Sequence, residues 1–225
     1  MIPYVDIHTH FPKTVENVIS IQNITQNEWE NPPNTEGGNF ASVGLHPWFL
    51  TKENAEKGFE KLTQIIDNQN IVAIGECGLD KLKGENLDFQ TDIFAKQIQL
   101  AESVQKPVII HCVRAFNEVI ALKKKLKPTV PMIIHGFNKN EMILKELLKN
   151  GFCISIGAAI LRGDKRFEKT ILEIPLKQLF FETDDIDIDV QDVYETYCQA
   201  ANMDIIDLKS IIYENTKKKI DTNFR

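Results

Sequence analysis

Val5-Asp-Ile-His-Thr-His10, near the start of the chain, is a short β-branched run that ends in two histidines. Side chains alternate faces along a strand, so Asp6, His8 and His10 share one side. Imidazoles gathered with a carboxylate at a strand end point to metal binding. The same arrangement, an apolar run followed by a histidine or an acid, recurs down the chain. Strands are expected at Tyr4–Ile7, Val18–Ile24, Phe40–Gly44, Ile71–Gly75, Pro107–Ile110, Met132–Ile134, Phe152–Ile156 and Gln178–Phe181. Most are continuously apolar, the mark of parallel strands covered on both faces.

Amphipathic stretches separate the later strands. The spacing predicts helices over Asn54–Asn68, Asp88–Gln105, Asn117–Leu126, Glu141–Lys149, Asp164–Leu172, Val190–Ala201 and Asp204–Ile220. Strands alternating with helices imply a parallel α/β sheet with right-handed crossovers, and eight strands suggest closure into a (β/α)8 TIM-type barrel. A full barrel takes roughly 250 residues, and this chain has 225. The shortfall falls early. Little room lies between the first two strands, and Thr25–Asn39, rich in Asn, Pro and Gly, reads as a loop. The crossover helices after strands one and two are therefore expected to be short or missing. No domain boundary is visible, so residues 1–225 are read as one hydrolase domain.

Composition narrows the function. Net charge is −6, which argues against a general nucleic-acid binder with a basic face. It leaves room for a nuclease, because bound cations supply positive charge locally. No apolar run is long enough to span a membrane, and no secretory signal is visible at the start. The four cysteines show no C-x-x-C pairing and read as reduced thiols. Together these features predict a cytoplasmic protein with no membrane association. No protein partner can be inferred.

All five histidines, His8, His10, His46, His111 and His135, lie at or just past the C-terminal end of an expected strand. Glu76 ends strand four, and Glu182 and Asp184 end strand eight. In a parallel barrel these ends share the face where active sites form. Glu76 is a candidate bridge between two metals, Asp184 a candidate ligand or proton acceptor, and Asp6 a group beneath the metal. Asp80 reads equally as a loop or cap residue and as a functional one. Cys77 and Cys112 should face away from Glu76 and His111 into packing. The short lysine runs 123–125 and 217–219 read as wet helix faces. Trp29 and Trp48 read as packing, with base stacking the alternative.

In chain order, several pieces resemble the TatD-type metal-dependent deoxyribonucleases, a branch of the amidohydrolase-like barrels. They are Val5 to His10, Gly44-Leu-His-Pro47, Gly75-Glu-Cys-Gly-Leu-Asp80, and Gln90 through Gln97 with Ala101. Lys106-Pro-Val-Ile-Ile-His111, His135-Gly-Phe, Phe181-Glu-Thr-Asp184 and Asn215 follow. The resemblance implies two metal ions, and the mixed imidazole and carboxylate donors suit divalent zinc, manganese or iron better than a pure oxygen site would, with magnesium possible. His8, His10, Glu76 and Asp184 would hold one, and Glu76, His111 and His135 the second. It also implies DNA phosphodiester hydrolysis, with His46 on the phosphate. The family's His-x-Arg is here His111-Cys-Val-Arg114, one residue longer, so the matching substrate contact, Arg114, is displaced. The long loop after the final Asp is nearly absent, with five residues between Asp184 and the next helix. Few basic residues remain near the site, which favours DNA ends or short single strands as substrate. The alternative is a barrel hydrolase acting on a small amide, lactone or phosphoester.

Overall fold

The computed structural model describes residues 2–11, 16–29 and 39–220. Eight strands form one sheet in chain order, and every adjacent pair is parallel. They are β1 (Tyr4–Thr9), β2 (Val18–Ile24), β3 (Asn39–Val43), β4 (Ile71–Asp80), β5 (Val108–Val113), β6 (Met132–Ile134), β7 (Cys153–Ile156) and β8 (Leu179–Phe181). Helix α1 (Ala55–Ile65) follows β3, α2 (Leu87–Val104) β4, α3 (Phe116–Leu126) β5, α4 (Glu141–Lys149) β6 and α5 (Lys165–Ile171) β7. Helices α6 (Val190–Ala201) and α7 (Ile205–Lys219) complete the ring after β8. A parallel bridge between Thr9 and Asp184 brings the ends of the sheet together, so the sheet is a nearly closed barrel.

The early part is trimmed as expected. Among the described residues, the only helical piece between β1 and β3 is a 3-10 turn at Gln26–Glu28, capped reciprocally by Thr25 and Glu28. Residues 30–38 of the expected loop Thr25–Asn39 lie outside the described residues.

Local chemistry accounts for the helices. The side chain of Asn86 accepts from Phe89 N at the start of α2, and Gln105 ends it in the left-handed conformation. The buried face of α2, including Gln90, Ile93, Phe94, Gln97 and Ala101, follows helical spacing and packs on β4. Asn140 and Asp204 cap α4 and α7 the same way. The core is Ile-, Val-, Leu- and Phe-rich, and each such side chain fully buried contributes roughly 1.5–3 kcal/mol.

Three strands run past their expected ends, β1 to Thr9, β5 to Val113 and, furthest, β4. The pattern stops at Gly75, yet β4 runs to Asp80 with all ten residues buried. The glycines permit β4 to lie close against β5. A Cβ on Gly78 would fall 2.1 Å from His111 O, and one on Gly75 would fall 2.7 Å from Ile109 O. Glu76 is thus held inside a strand rather than on a turn. No helix among the described residues is long and apolar enough to cross a membrane. All four cysteines are free and buried.

Candidate metal centre

The expected convergence is present at the C-terminal ends of the strands. His8 lies within β1 and His10 just after it, Glu76 within β4, and His111 within β5. His135 follows β6 directly, and His46 and Asp184 lie three residues past the ends of β3 and β8. Glu76 sits at the middle. Its Oε2 is 3.4 Å from His8 Nε2 and 3.6 Å from His10 Nε2. Its Oε1 is 2.7 Å from His111 Nδ1, 2.8 Å from His135 Nε2 and 3.1 Å from His46 Nε2. Asp184 Oδ1 completes the first group, 3.5 Å from His8 Nε2 and 3.6 Å from His10 Nε2. Asp184 is 30% exposed at its side chain and Glu76 5%, so the centre opens to solvent beside Asp184.

A second layer of acids holds these groups. Asp80 Oδ2 faces His111 Nε2 at 3.1 Å and accepts from Trp48 Nε1 at 2.6 Å, while its Oδ1 accepts from the backbone N–H of Leu82 and Lys83. It therefore serves both the loop and the site. Glu182, fully buried, accepts from Gly136 N at 2.5 Å through Oε1, which lies 3.6 Å from His135 Nδ1. Asp6 accepts from Thr183 Oγ1 at 2.7 Å and from the N–H of His8 and Thr183. Burial raises the Asp6 carboxyl to about 7, with the Thr183 hydrogen bonds acting the other way. Burial also works to raise Glu76, but the facing imidazoles outweigh it and hold the carboxyl well below the usual carboxylate range. The Asn23 side chain accepts from Glu76 N at 2.8 Å and fixes the backbone at the central acid.

The donors fit divalent cations. His8 is wholly buried, and neither of its ring nitrogens has a hydrogen-bond partner, although Nε2 points at two carboxylates. A buried imidazole left so is costly unless something binds it. His8, His10 and Glu76, and likewise His8, His135 and Asp184, bring one ligand atom each within 4.8 Å of one another. A third such group contains His46, Glu76 and His111. Tautomers separate the two histidines in it. His111 faces Asp80 with Nε2 and Glu76 with Nδ1, and a proton donated from Nε2 to Asp80 would leave Nδ1 with its lone pair for a metal. Trp48 N donates to His46 Nδ1, so neutral His46 carries its proton on Nε2. Burial pushes the His46 pKa down, and the neutral ring presents an N–H suited to an anion rather than a lone pair suited to a metal.

Two clefts flank the cluster. One, of about 210 Å3, runs past His46 and Glu76 between Trp48, Phe49 and Ile24. The other, of about 160 Å3, runs past His111, His135 and Asp184 toward Lys139. Arg114 is exposed, has φ 54°, and lines neither. Cys77 and Cys112 pack in the core, away from the ligands. Trp29 is buried, its Nε1 donating to Ile24 O, but Trp48 and Phe49 are exposed at the cleft. Sequence reasoning did not single out Asn23, Phe49 or the Glu182–His135 pairing. Position after strand three was the available signal for Phe49. No local signal marks Asn23, whose partner is 53 residues away.

Comparison with known proteins agrees with this geometry. The family described as TatD related DNase matches residues 6–225. An uncharacterized metal-dependent hydrolase of Methanocaldococcus jannaschii, MJ1582, is 30% identical over 192 residues, 80% of this chain and 74% of that protein. A 3'-5' ssDNA/RNA exonuclease TatD of Pantoea is 30% identical over 152 residues, 64% of this chain, and the match spans only 57% of that protein's length. The crystal structure of the TatD homologue YjjV from Escherichia coli superposes with a TM-score of 0.82 at 22% identity, over 96% of this chain and 97% of that one. The barrel, the cluster around Glu76 and these matches together place the chain in the TatD-related DNase family of metal-dependent hydrolases.

Proposed function

We propose that the protein is a two-metal phosphodiesterase that shortens single-stranded DNA from an end. The observation that carries this reading is the division of Glu76, whose Oε2 faces His8 and His10 while Oε1 faces His111 and His135. One carboxylate between two imidazole pairs suits a bridging ligand. His8, His10 and Asp184 would complete one ion's set, and His111 and His135 the other's. When bound, two cations supply Lewis acidity and a lowered water pKa to both sides of an in-line displacement. Zinc or manganese suits the mixed imidazole and carboxylate donors, with magnesium the third candidate.

The chain's own residues do the rest. Asp184, the solvent-open acid, takes the proton of the attacking water on its carboxylate. His46 donates its Nε2–H to a non-bridging phosphate oxygen. Asp80 holds His111 in place, and Glu182 stands 3.6 Å behind His135 Nδ1. The name of the Pantoea relative supports a nucleic-acid end as substrate. The five residues 185–189 carry no basic side chain, which supports a grip limited to a few phosphates.

Elemental analysis combined with cleavage assays on single-stranded DNA, one candidate metal at a time, tests the proposal. Two ions per chain and progressive shortening are expected. A fully loaded protein that leaves DNA and RNA strands intact would overturn it. The net charge of −6 and the small cleft favour one second reading, hydrolysis of a small phosphoester, amide or lactone, which a substrate panel separates.

A further inference from the structure

The loops over the metal centre carry exposed aromatic side chains that neither ligate nor seal the core. Trp48 is 39% and Phe49 57% exposed, and both line the 210 Å3 cleft beside His46 and Glu76. Exposed aromatics of this size cost free energy in water unless a partner covers them. The wall is rigid. Asp80 Oδ2 fixes Trp48 through its indole N–H at 2.6 Å, and the same oxygen faces metal-candidate His111 at 3.1 Å. The Lys83 ammonium sits 3.7 Å from the centroid of the Trp48 ring and covers one of its faces. Phe49, 5.4 Å from His46, is left as the open platform.

Two polar side chains along this wall are engaged by the protein itself, and a third is packed against α1. Asn23 Oδ1 accepts from Glu76 N, and Thr25 Oγ1 donates to Glu28 at 2.7 Å. The Gln26 amide lies against Gly58 of α1, where an added Cβ would come within 2.7 Å of its nitrogen. Reading a base by its edge requires donors and acceptors that are free to meet it, whereas stacking requires only a π-face, which every base has.

We infer that Trp48 and Phe49 form a nucleobase-stacking subsite that seats the base next to the phosphate at the metal centre, without regard to base identity. The inference rests on the nucleic-acid reading above and specifies how the substrate is held. Asp80 ties this wall to His111, so a base seated there is placed in fixed relation to the hydrolytic centre. A flat aromatic base fills the cleft, and its phosphate then falls beside the His46 Nε2–H.

The test uses the metal-loaded Asp184→Asn protein, whose slowed turnover should leave the strands largely intact during a titration. It is titrated with short single-stranded oligodeoxynucleotides and with the same strands carrying an abasic tetrahydrofuran residue at the terminal position. Of the two tryptophans, Trp29 is buried and Trp48 exposed, so quenching of tryptophan fluorescence reports the cleft. Removing the base should weaken binding roughly 5- to 150-fold, the range of one base–aromatic stack, and the four bases should differ little. In a double-variant cycle, Phe49→Ala should abolish most of this dependence on the base. Trp48→Phe should remove the quenching. Equal affinity for normal and abasic strands, or a base preference of tenfold or more, overturns the subsite while leaving the nuclease reading intact. Failure of every strand to bind overturns both.

Discussion

The main chain of Asp184 is hydrogen-bonded to β1 on both sides of Thr9. Its N–H donates to His8 O at 2.9 Å, and its carbonyl accepts from His10 N at 3.0 Å. The carboxylate of Asp184 and the imidazoles of His8 and His10 are thereby set on one seam, and their mutual distances follow from backbone bonds. Asp184 meets this geometry at φ 58°, a left-handed conformation that Asp and Asn adopt more readily than most residues.

That conformation makes Asp184→Asn a clean substitution. The variant should keep its fold, because Asn tolerates the same backbone, and should lose turnover by at least roughly a hundredfold, the lower range for removing a general base. Steady-state kinetics beside a thermal melt checks this. Wild-type turnover in a folded, metal-replete variant would remove Asp184 from the chemistry.

Asp80 Oδ2 faces His111 Nε2 at 3.1 Å, a contact that favours the tautomer with Nδ1 free to ligate. Asp80→Asn should weaken one of two metal-binding steps by about 10- to 100-fold, the usual effect of losing a carboxylate behind a ligating histidine. Calorimetric metal titration reads the two steps directly. Two unchanged steps would show that the acid serves only its loop.

Lys123 lies at the opposite end of the barrel. Its ammonium donates to Gly151 O at 2.7 Å and sits 4.2 Å from the Phe152 ring. Burial pushes its pKa down to about 8, the nearby Cys153 thiol acting to raise it and Lys219 to lower it further. The folded value lies below the ordinary lysine value of about 10.4. The unfolded chain therefore binds more protons between these limits, and the contribution of Lys123 to stability rises with pH through that window. Relative to wild type, Lys123→Met should be about 1–2 kcal/mol more favourable at pH 7 than at pH 10, after discounting for partial solvent screening. Urea midpoints across the range measure the difference, and a pH-independent gap would refute the assignment.

Phosphate grip should be short. Lys81 is paired with Glu118 at 2.5 Å, and Arg114 lines neither cleft, which leaves Lys139 beside the centre and Lys83 over Trp48. Two to four phosphate contacts predict a log affinity against log salt slope of about −1.4 to −2.8 for single strands, at roughly 0.7 per contact. A slope steeper than about −5 would reveal a longer basic track.

The histidines were legible because each follows an apolar run, and barrel topology turns that position into a common face. Helices α4 and α6 and strands β2 and β6 lie where periodicity and capping put them. Strand β4 was read too short because Gly75 and Gly78 resemble turn signals until β5 is seen to press against them. Asp80 was ambiguous for a related reason. Its partners Trp48 and His111 lie 32 and 31 residues away, so only the folded chain reveals its second role. Gln90 and Gln97 match the family pattern, and the fold supplies the reason. Gln90 bonds to the N–H and carbonyl of Asp80, and Gln97 does the same for Leu45.

The Thr9–Asp184 bridge joins the first strand of the barrel to the last. During synthesis the ribosome delivers every imidazole of the centre before it delivers Asp184. Asp184 arrives only when β8 emerges and docks on β1, after every histidine of the cluster has been made. A product that ends before β8 therefore lacks both the seam that joins the sheet ends and the acid set on it.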